Sequence, residues 1–131
     1  MCMLHFVLLL AGWSIGQQAI DQSAALLGNL EAHIDLVSGH PRALGWGKPT
    51  SSQYWVAYGF EYRRLIKVRY GIDSQIVAGC ALRTDQRARW SAYNQAIYDS
   101  TIRKYGPDAF ARIDKEIRLR LGPHPQLLPR R

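Results

Sequence analysis

The sequence predicts an all-α fold, a small single-domain bundle of about four to five helices that follows an apolar N-terminal segment. Three observations support this prediction. Apolar residues recur at spacings of three and four, hardly any segment alternates as a strand would, and glycine and proline separate the periodic segments. With 131 residues, of which 47% are hydrophobic, the chain can bury one core without metals or disulfides.

The N-terminal run MCMLHFVLLLAGWSIGQQA is typical of an export signal. Met3 to Trp13 has the length of a signal-peptide apolar region, and Ser14 and Gly16 are the small residues that a cleavage site requires. We therefore expect residues 1–16 to be a signal peptide, although the run contains no Lys or Arg. Membrane anchoring through residues 1–20 and an apolar helix folded into the core are the two alternatives.

The helical domain is predicted to span residues 17–122, and its first helix is predicted to end at Gly39 and Pro41. One face of this helix is apolar, which predicts that it packs into the core. That face consists of Ile20, Ala24, Leu27, Leu30, Ile34 and Val37. The segment from Gly39 to Thr50 is predicted to be a loop, with Trp46 either packed on the core or presented to a partner.

The second helix is predicted to begin at a serine cap, Ser51 or Ser52, and to end at Gly71. Gly59 lies among aromatic residues in the middle of this helix, which predicts the close approach of another helix. Its last turns are basic, as the negative end of a helix dipole favours. The basic residues are Arg63, Arg64, Lys67 and Arg69.

Three further helices are predicted. A short one is marked by Ile76, Val77, Cys80 and Ala81, with Cys80 buried and inert or, if the N-terminus is retained, bridged to Cys2. The next begins at Thr84 or Asp85 and continues to Tyr105. The last follows Gly106 and Pro107, presents Phe110, Ile113, Ile117 and Leu121 to the core, and ends at Gly122. Residues 123–131 are expected to form a flexible tail.

Charge is distributed unevenly along the chain. There are 17 Lys and Arg against 10 Asp and Glu, which gives a net charge of +7, and no Lys or Arg precedes Arg42. We expect the acidic side of the first helix to dock onto the basic remainder. The outer basic surface would then attract an anionic partner such as nucleic acid, lipid headgroups or an acidic protein, unless it is simply a solvated surface.

Catalytic and metal-binding patterns are weak in this sequence. His33 and Asp35 point in different directions on a helix, and we predict neither a metal site nor a cofactor. Glu61 is the best candidate for an acid in a small hydrolase, provided that it is not ion-paired by arginine. Its second carboxylate would be Asp73, Asp85 or Asp99.

We therefore expect a binding protein more than an enzyme, exported to the periplasm or the cell exterior. Its partner would be another protein or an anionic surface, in an inhibitor, immunity or envelope-assembly role. The expected contact surface combines aromatic and basic residues, as interface hot spots do. Its members are Trp46, Tyr54, Arg63, Arg64, Lys67 and Arg69. The alternatives are a cytoplasmic nucleic-acid-binding protein and the hydrolase that uses Glu61.

Overall fold

The computed structural model describes residues 2–47, 51–79 and 81–122, with side chains from residue 16 onward. Its helices are α1 (Cys2–Ser38), α2 (Gln53–Tyr70), α3 (Thr84–Tyr105) and α4 (Ala109–Leu121). Strands β1 (Arg42–Trp46) and β2 (Asp73–Ala78) form a parallel two-stranded sheet. The chain is mostly helical, as the sequence predicts. Cys80, the Cys2 side chain and the expected tail at residues 123–131 lie outside this description.

The two strands correct the all-α prediction. β1 occupies part of the segment that is predicted to be a loop, and β2 replaces the short helix predicted around Ile76 and Val77. Neither strand alternates apolar and polar residues, because β1 reads RALGW and β2 reads DSQIVA, so the usual strand pattern is absent from the sequence. Because β1 and β2 are parallel, α2 is the crossover connection between them.

Strand β1 is bonded along both of its edges. On one side it pairs with β2, and the Asp73 N–H donates to the Pro41 carbonyl at 2.9 Å. On the other side, the Asn94 amide of α3 donates to the Leu44 carbonyl at 2.7 Å and accepts the Leu44 N–H at 2.9 Å. Side chains of α3 therefore satisfy the backbone of β1 on the side where the described part of the chain has no strand.

The core lies between the four helices and the sheet, and α1 contributes Ala32 to it. Its buried side chains are Ala32, Leu44, Leu65, Ile66, Ile72, Tyr93, Ile97, Ile113 and Ile117. Helix α3 spans the predicted segment and ends at Tyr105, but its N-cap is Arg83 in place of the predicted Thr84 or Asp85. Ile113 and Ile117 of α4 are buried, as predicted. Ser52 and Gly71 flank α2 as predicted, and Gly71 has the left-handed conformation (φ 70°) that favours glycine.

Helix α1 presents to solvent the face that is predicted to be buried. Five of the six side chains of that face are more than half exposed: Ile20 54%, Leu27 53%, Leu30 55%, Ile34 55% and Val37 75%. The side toward α3 instead holds Gly28 and Ala32, which are buried. A Cβ on Gly28 would lie 1.9 Å from the Arg89 carbonyl oxygen, so the two helices approach more closely than large side chains permit. Within the described residues, no helix combines the length and the hydropathy needed to cross a membrane.

The acidic side of α1 faces basic residues, as the sequence predicts. Glu31 forms an ion pair with Arg89 of α3, and Asp35 pairs with Arg42 at 2.8 Å. Asp35 also accepts a hydrogen bond from the Tyr93 hydroxyl at 2.6 Å. Partial burial acts to raise the pKa of Asp35, but the hydrogen bonds from Tyr93 and Arg42 outweigh it and lower that pKa.

Candidate functional site

A groove of about 340 Å³ lies between α2 and the sheet. Helix α2 contributes Tyr58, Gly59, Tyr62 and Arg63, and the sheet contributes residues 43–45 together with Ser74 and Ile76. The Ile76 side chain is 69% exposed. The groove is therefore a shallow, largely apolar surface that opens beside β2.

Gly59 forms an open part of this groove. The prediction that another helix approaches it is wrong, because the nearest atom to a Cβ built there is Nη1 of Arg63 at 3.4 Å, on the same helix. A glycine inside a helix is less favourable than alanine by about 1 kcal/mol. Packing within the described residues offers no compensation for this loss. The glycine leaves the α2 backbone accessible to whatever occupies the groove.

The predicted basic series of α2 is mostly neutralised by carboxylates. Ion pairs join Arg64 to Glu61 at 2.8 Å, Lys67 to Asp73 at 2.5 Å and Arg69 to Glu116 at 3.1 Å. Within the described residues, Arg63 has no carboxylate partner. Its guanidinium lies over the Phe60 ring, 5.5 Å from the centroid, and that ring is 68% exposed. Arg63 is thus the cation of this series that is left for a ligand.

The two predicted aromatic members of the contact surface make contacts elsewhere. Trp46 ends β1, and its ring packs against Trp90 of α3 with centroids 6.3 Å apart. The Tyr54 hydroxyl donates to the Gly122 carbonyl at 3.3 Å, and its ring meets Trp55 edge-on. Of the predicted contact residues, Arg63 lines the groove, and these two aromatic residues do not.

Tyr58 forms a fixed wall of the groove. Its hydroxyl donates to Asp114 of α4 at 2.5 Å, and Asp114 accepts from Nε of Arg118 at 2.8 Å. Burial, reinforced by the hydrogen bond to Asp114, raises the pKa of Tyr58 to about 12. The phenol is therefore neutral at physiological pH. The Tyr62 ring stacks beside it with an interplanar angle of 13°.

The outer edge of β2 adjoins the groove. Successive residues of a strand direct their backbone groups to opposite sides, and Asp73 is bonded toward β1. Ser74 and Ile76 therefore direct their N–H and C=O groups away from β1, where the described residues provide no further strand. The sequence interpretation missed both residues because it assigned this segment to a helix. Gly59 was the signal in the sequence that pointed to the groove.

Glu61 has the wrong environment for a catalytic acid. The hydrogen bond from Arg64 lowers the pKa of Glu61, and Arg120 approaches the same carboxylate oxygen at 3.5 Å. A general acid needs a raised pKa, so this geometry gives the hydrolase alternative no support. In the described part of the chain, no three His, Cys, Asp or Glu residues are grouped as metal ligands would be.

Among the described residues, the groove joins an apolar surface, a cation without a carboxylate partner and a strand edge without a neighbouring strand. These are the groups that an extended chain contacts when it adds to a sheet. No protein-family model, no curated protein and no solved structure matches this chain.

Proposed function

We propose that this protein binds a partner protein by adding an extended segment of that partner to the outer edge of β2. An aliphatic side chain of the segment would enter the groove, and a carboxylate would pair with Arg63. Gly59 carries this proposal, because an unfavourable glycine on an open groove is explained by the close approach of a ligand.

The groove and the adjoining edge of β2 present the groups that strand addition requires. Main-chain hydrogen bonds to Ser74 and Ile76 supply affinity, and the side-chain groove supplies selectivity. Arg63 and Phe60 form an exposed arginine–aromatic pair of the kind that dominates interface energies. A carboxylate on the partner would neutralise Arg63, which has no acidic neighbour within the described residues.

The compartment is a separate part of the proposal. The protein is proposed to act in the periplasm or outside the cell after removal of residues 1–16. N-terminal sequencing of the mature protein is expected to begin near Gln17. A mature protein that begins at Met1 and is found in the cytosol would instead favour the nucleic-acid alternative.

Binding can be tested with a displayed library of random peptides, using the full chain as bait. We expect the enriched peptides to combine an aliphatic residue with Asp or Glu, and to lose at least about tenfold in affinity on Arg63→Glu or Gly59→Leu. Arg87→Glu is the matched control, because Arg87 is an exposed cation on α3, away from the groove lining. Failure to enrich peptides, or equal binding to all variants, would contradict the proposal.

An oligonucleotide probe separates the nucleic-acid alternative from this proposal. A fluorescent single-stranded oligonucleotide is expected to bind weakly, because most cations of the predicted basic series are already paired. Tight binding that falls steeply with salt concentration would favour the alternative.

A further inference from the structure

The exposed face of α1 is apolar from Ile20 to Val37, apart from Ser23. Ile20, Leu27, Leu30, Ile34 and Val37 are each more than half exposed, and Leu26 beside them is 70% exposed. We call the row Ile20, Ser23, Leu27, Leu30, Ile34 and Val37 the α1 seam. It contains no charged side chain. The acidic residues Glu31 and Asp35 flank the seam and pair with Arg89 and Arg42.

The spacing of the α1 seam is that of a coiled coil. Its residues follow one another at intervals of three, four, three, four and three, which is a period of 3.5 residues. Leu27 and Ile34 occupy one heptad position, and Leu30 and Val37 occupy the other. A narrow stripe with this period packs against another helix, whereas a wider stripe is usual against a globular core.

Charge distinguishes between the possible occupants of the seam. Helices that lie on a membrane surface carry Lys and Arg on their polar face. No Lys or Arg precedes Arg42, and the charged residues of α1 are acidic, so an anionic membrane would repel this helix. An uncharged helical seam is the complementary surface, and a second copy of the chain presents one of the same length.

We propose that α1 pairs with α1 of a second copy, in parallel and in register. In this arrangement Leu26 faces Glu31 of the other copy, and His33 faces Ser38, so no like charges meet across the seam. The heptad also continues upstream in the sequence at Phe6, Leu9 and Trp13. Parallel pairing places these positions side by side, whereas antiparallel pairing would separate them to opposite ends.

The length of α1 in the full chain suits a stable dimer. In the full chain, before the proposed removal of residues 1–16, the helix has 37 residues and is about 55 Å long, and its part from Gln17 onward is about 33 Å long. With a contact width of about 10 Å, the footprint is about 550 Å² in the full chain and about 330 Å² after the removal. The full-chain value is the same order as the roughly 800 Å² that each partner buries in a standard interface, and the shorter helix is expected to pair more weakly. The association is independent of the proposed peptide groove, which lies on α2 and the sheet.

Sedimentation equilibrium of the full chain tests the pairing. We expect a dimer, and we expect Leu30→Glu combined with Ile34→Glu to raise its Kd by more than about 100-fold, because both charges would enter the seam. Gln22→Glu combined with Asn29→Glu is the matched control, since both residues are exposed on α1 outside the seam. A monomeric wild-type chain, or a dimer insensitive to the seam variant, would overturn the proposal.

Cross-linking tests the orientation without weakening the seam. In a Cys2→Ser and Cys80→Ser background, Ser23→Cys is expected to form a disulfide-linked dimer, because parallel pairing places the two Ser23 positions together. Asn29→Cys, outside the seam, is the control that should remain unlinked. Cross-linking at the control position but not at position 23 would overturn the parallel arrangement. Circular dichroism of each variant verifies that the helices are retained.

Discussion

Two mid-helix glycines, Gly28 in α1 and Gly59 in α2, have opposite surroundings. Gly28 is buried, and the Arg89 carbonyl oxygen occupies the space that its Cβ would need. Gly59 has its own Arg63 side chain as nearest neighbour and borders an open groove. Both glycines disfavour helix formation relative to alanine, so we look for an interaction outside the helix that compensates for each.

The two glycines have different roles: Gly28 allows packing within the folded chain, and Gly59 is proposed to allow binding of a ligand. At Gly28 the missing side chain allows α1 to approach α3, so the compensation is already present in the folded chain. At Gly59 the described residues supply no such packing, and the compensation proposed above is a bound ligand. The local sequence does not distinguish these cases. Substitutions at both positions, and at their neighbours, can test the distinction.

Gly28→Ala is expected to have the largest effect. The new methyl would overlap the Arg89 carbonyl, and overpacking of this kind destabilises a protein by about 3 kcal/mol. Urea denaturation of the full chain measures the change. Gly16→Ala is the matched control in the same helix, because no atom lies within 4 Å of its Cβ. That control should be stabilised, and equal stability of the two variants would show that the α1–α3 contact is loose.

Asp35→Asn should destabilise the same contact by about 2 kcal/mol at neutral pH, since it removes a charged hydrogen-bond acceptor from Tyr93 and Arg42. Folding lowers the pKa of Asp35. The carboxylate therefore contributes to the free energy of unfolding above its pKa in the unfolded chain, about 3.9, and this contribution is lost as pH falls through its pKa in the folded chain. The difference between wild type and variant should therefore shrink in strong acid.

The matched control for this carboxylate is Asp99→Asn. Asp99 accepts a hydrogen bond from Gln95 at the surface of α3, and its replacement is expected to change stability by less than about 0.5 kcal/mol. A loss for Asp35→Asn that remained constant down to pH 2 would contradict the assigned pKa direction.

Gly59→Ala should act in the opposite sense to Gly28→Ala. The nearest atom belongs to the flexible end of Arg63, so the methyl fits and helix propensity stabilises the chain by up to about 1 kcal/mol. Affinity for the selected peptides should fall at the same time. Thermal unfolding and peptide titration of one sample measure both quantities. Unchanged affinity would remove the functional reason for this glycine.

Glu31→Gln is expected to have the smallest effect, although it breaks the ion pair with Arg89 beside Gly28. Both side chains are at least one-third exposed, so solvent screens the pair and its loss changes stability by less than about 1 kcal/mol. Urea denaturation at low and high salt checks this value. A larger loss would mean that charge, more than the close backbone approach, holds α1 to α3.

The sequence predicts the helices well where caps and periodicity agree. The bounds of α2 follow from Ser52 and Gly71, because serine and glycine have strong positional preferences at helix ends. At α3 the N-cap is Arg83, one residue before the predicted Thr84. The strands were not predicted because their stability depends on each other and on Asn94, a partner distant in sequence. Local patterns contain no information about such partners.

The choice of which face of α1 is buried shows why periodicity alone can mislead. The regular spacing of Leu30 and its neighbours predicts a face packed into the core, whereas the structure exposes that face. The small residues Gly28 and Ala32 determined the contact within the chain. At the groove, Arg63 was singled out by its charge and its role in binding stays a prediction, while the position of Ile76 required knowledge of the strand.

The two hydrogen bonds from Asn94 to Leu44 limit how copies of this sheet can assemble. Because α3 closes the β1 edge, the sheet can be extended in one direction, from β2. Edge-to-edge growth therefore ends after a single addition, and copies joined through β2 cannot propagate into a fibril. The Asn94 side chain thus blocks the β1 edge, so the open edge of β2 cannot lead to continued polymerisation of the sheet.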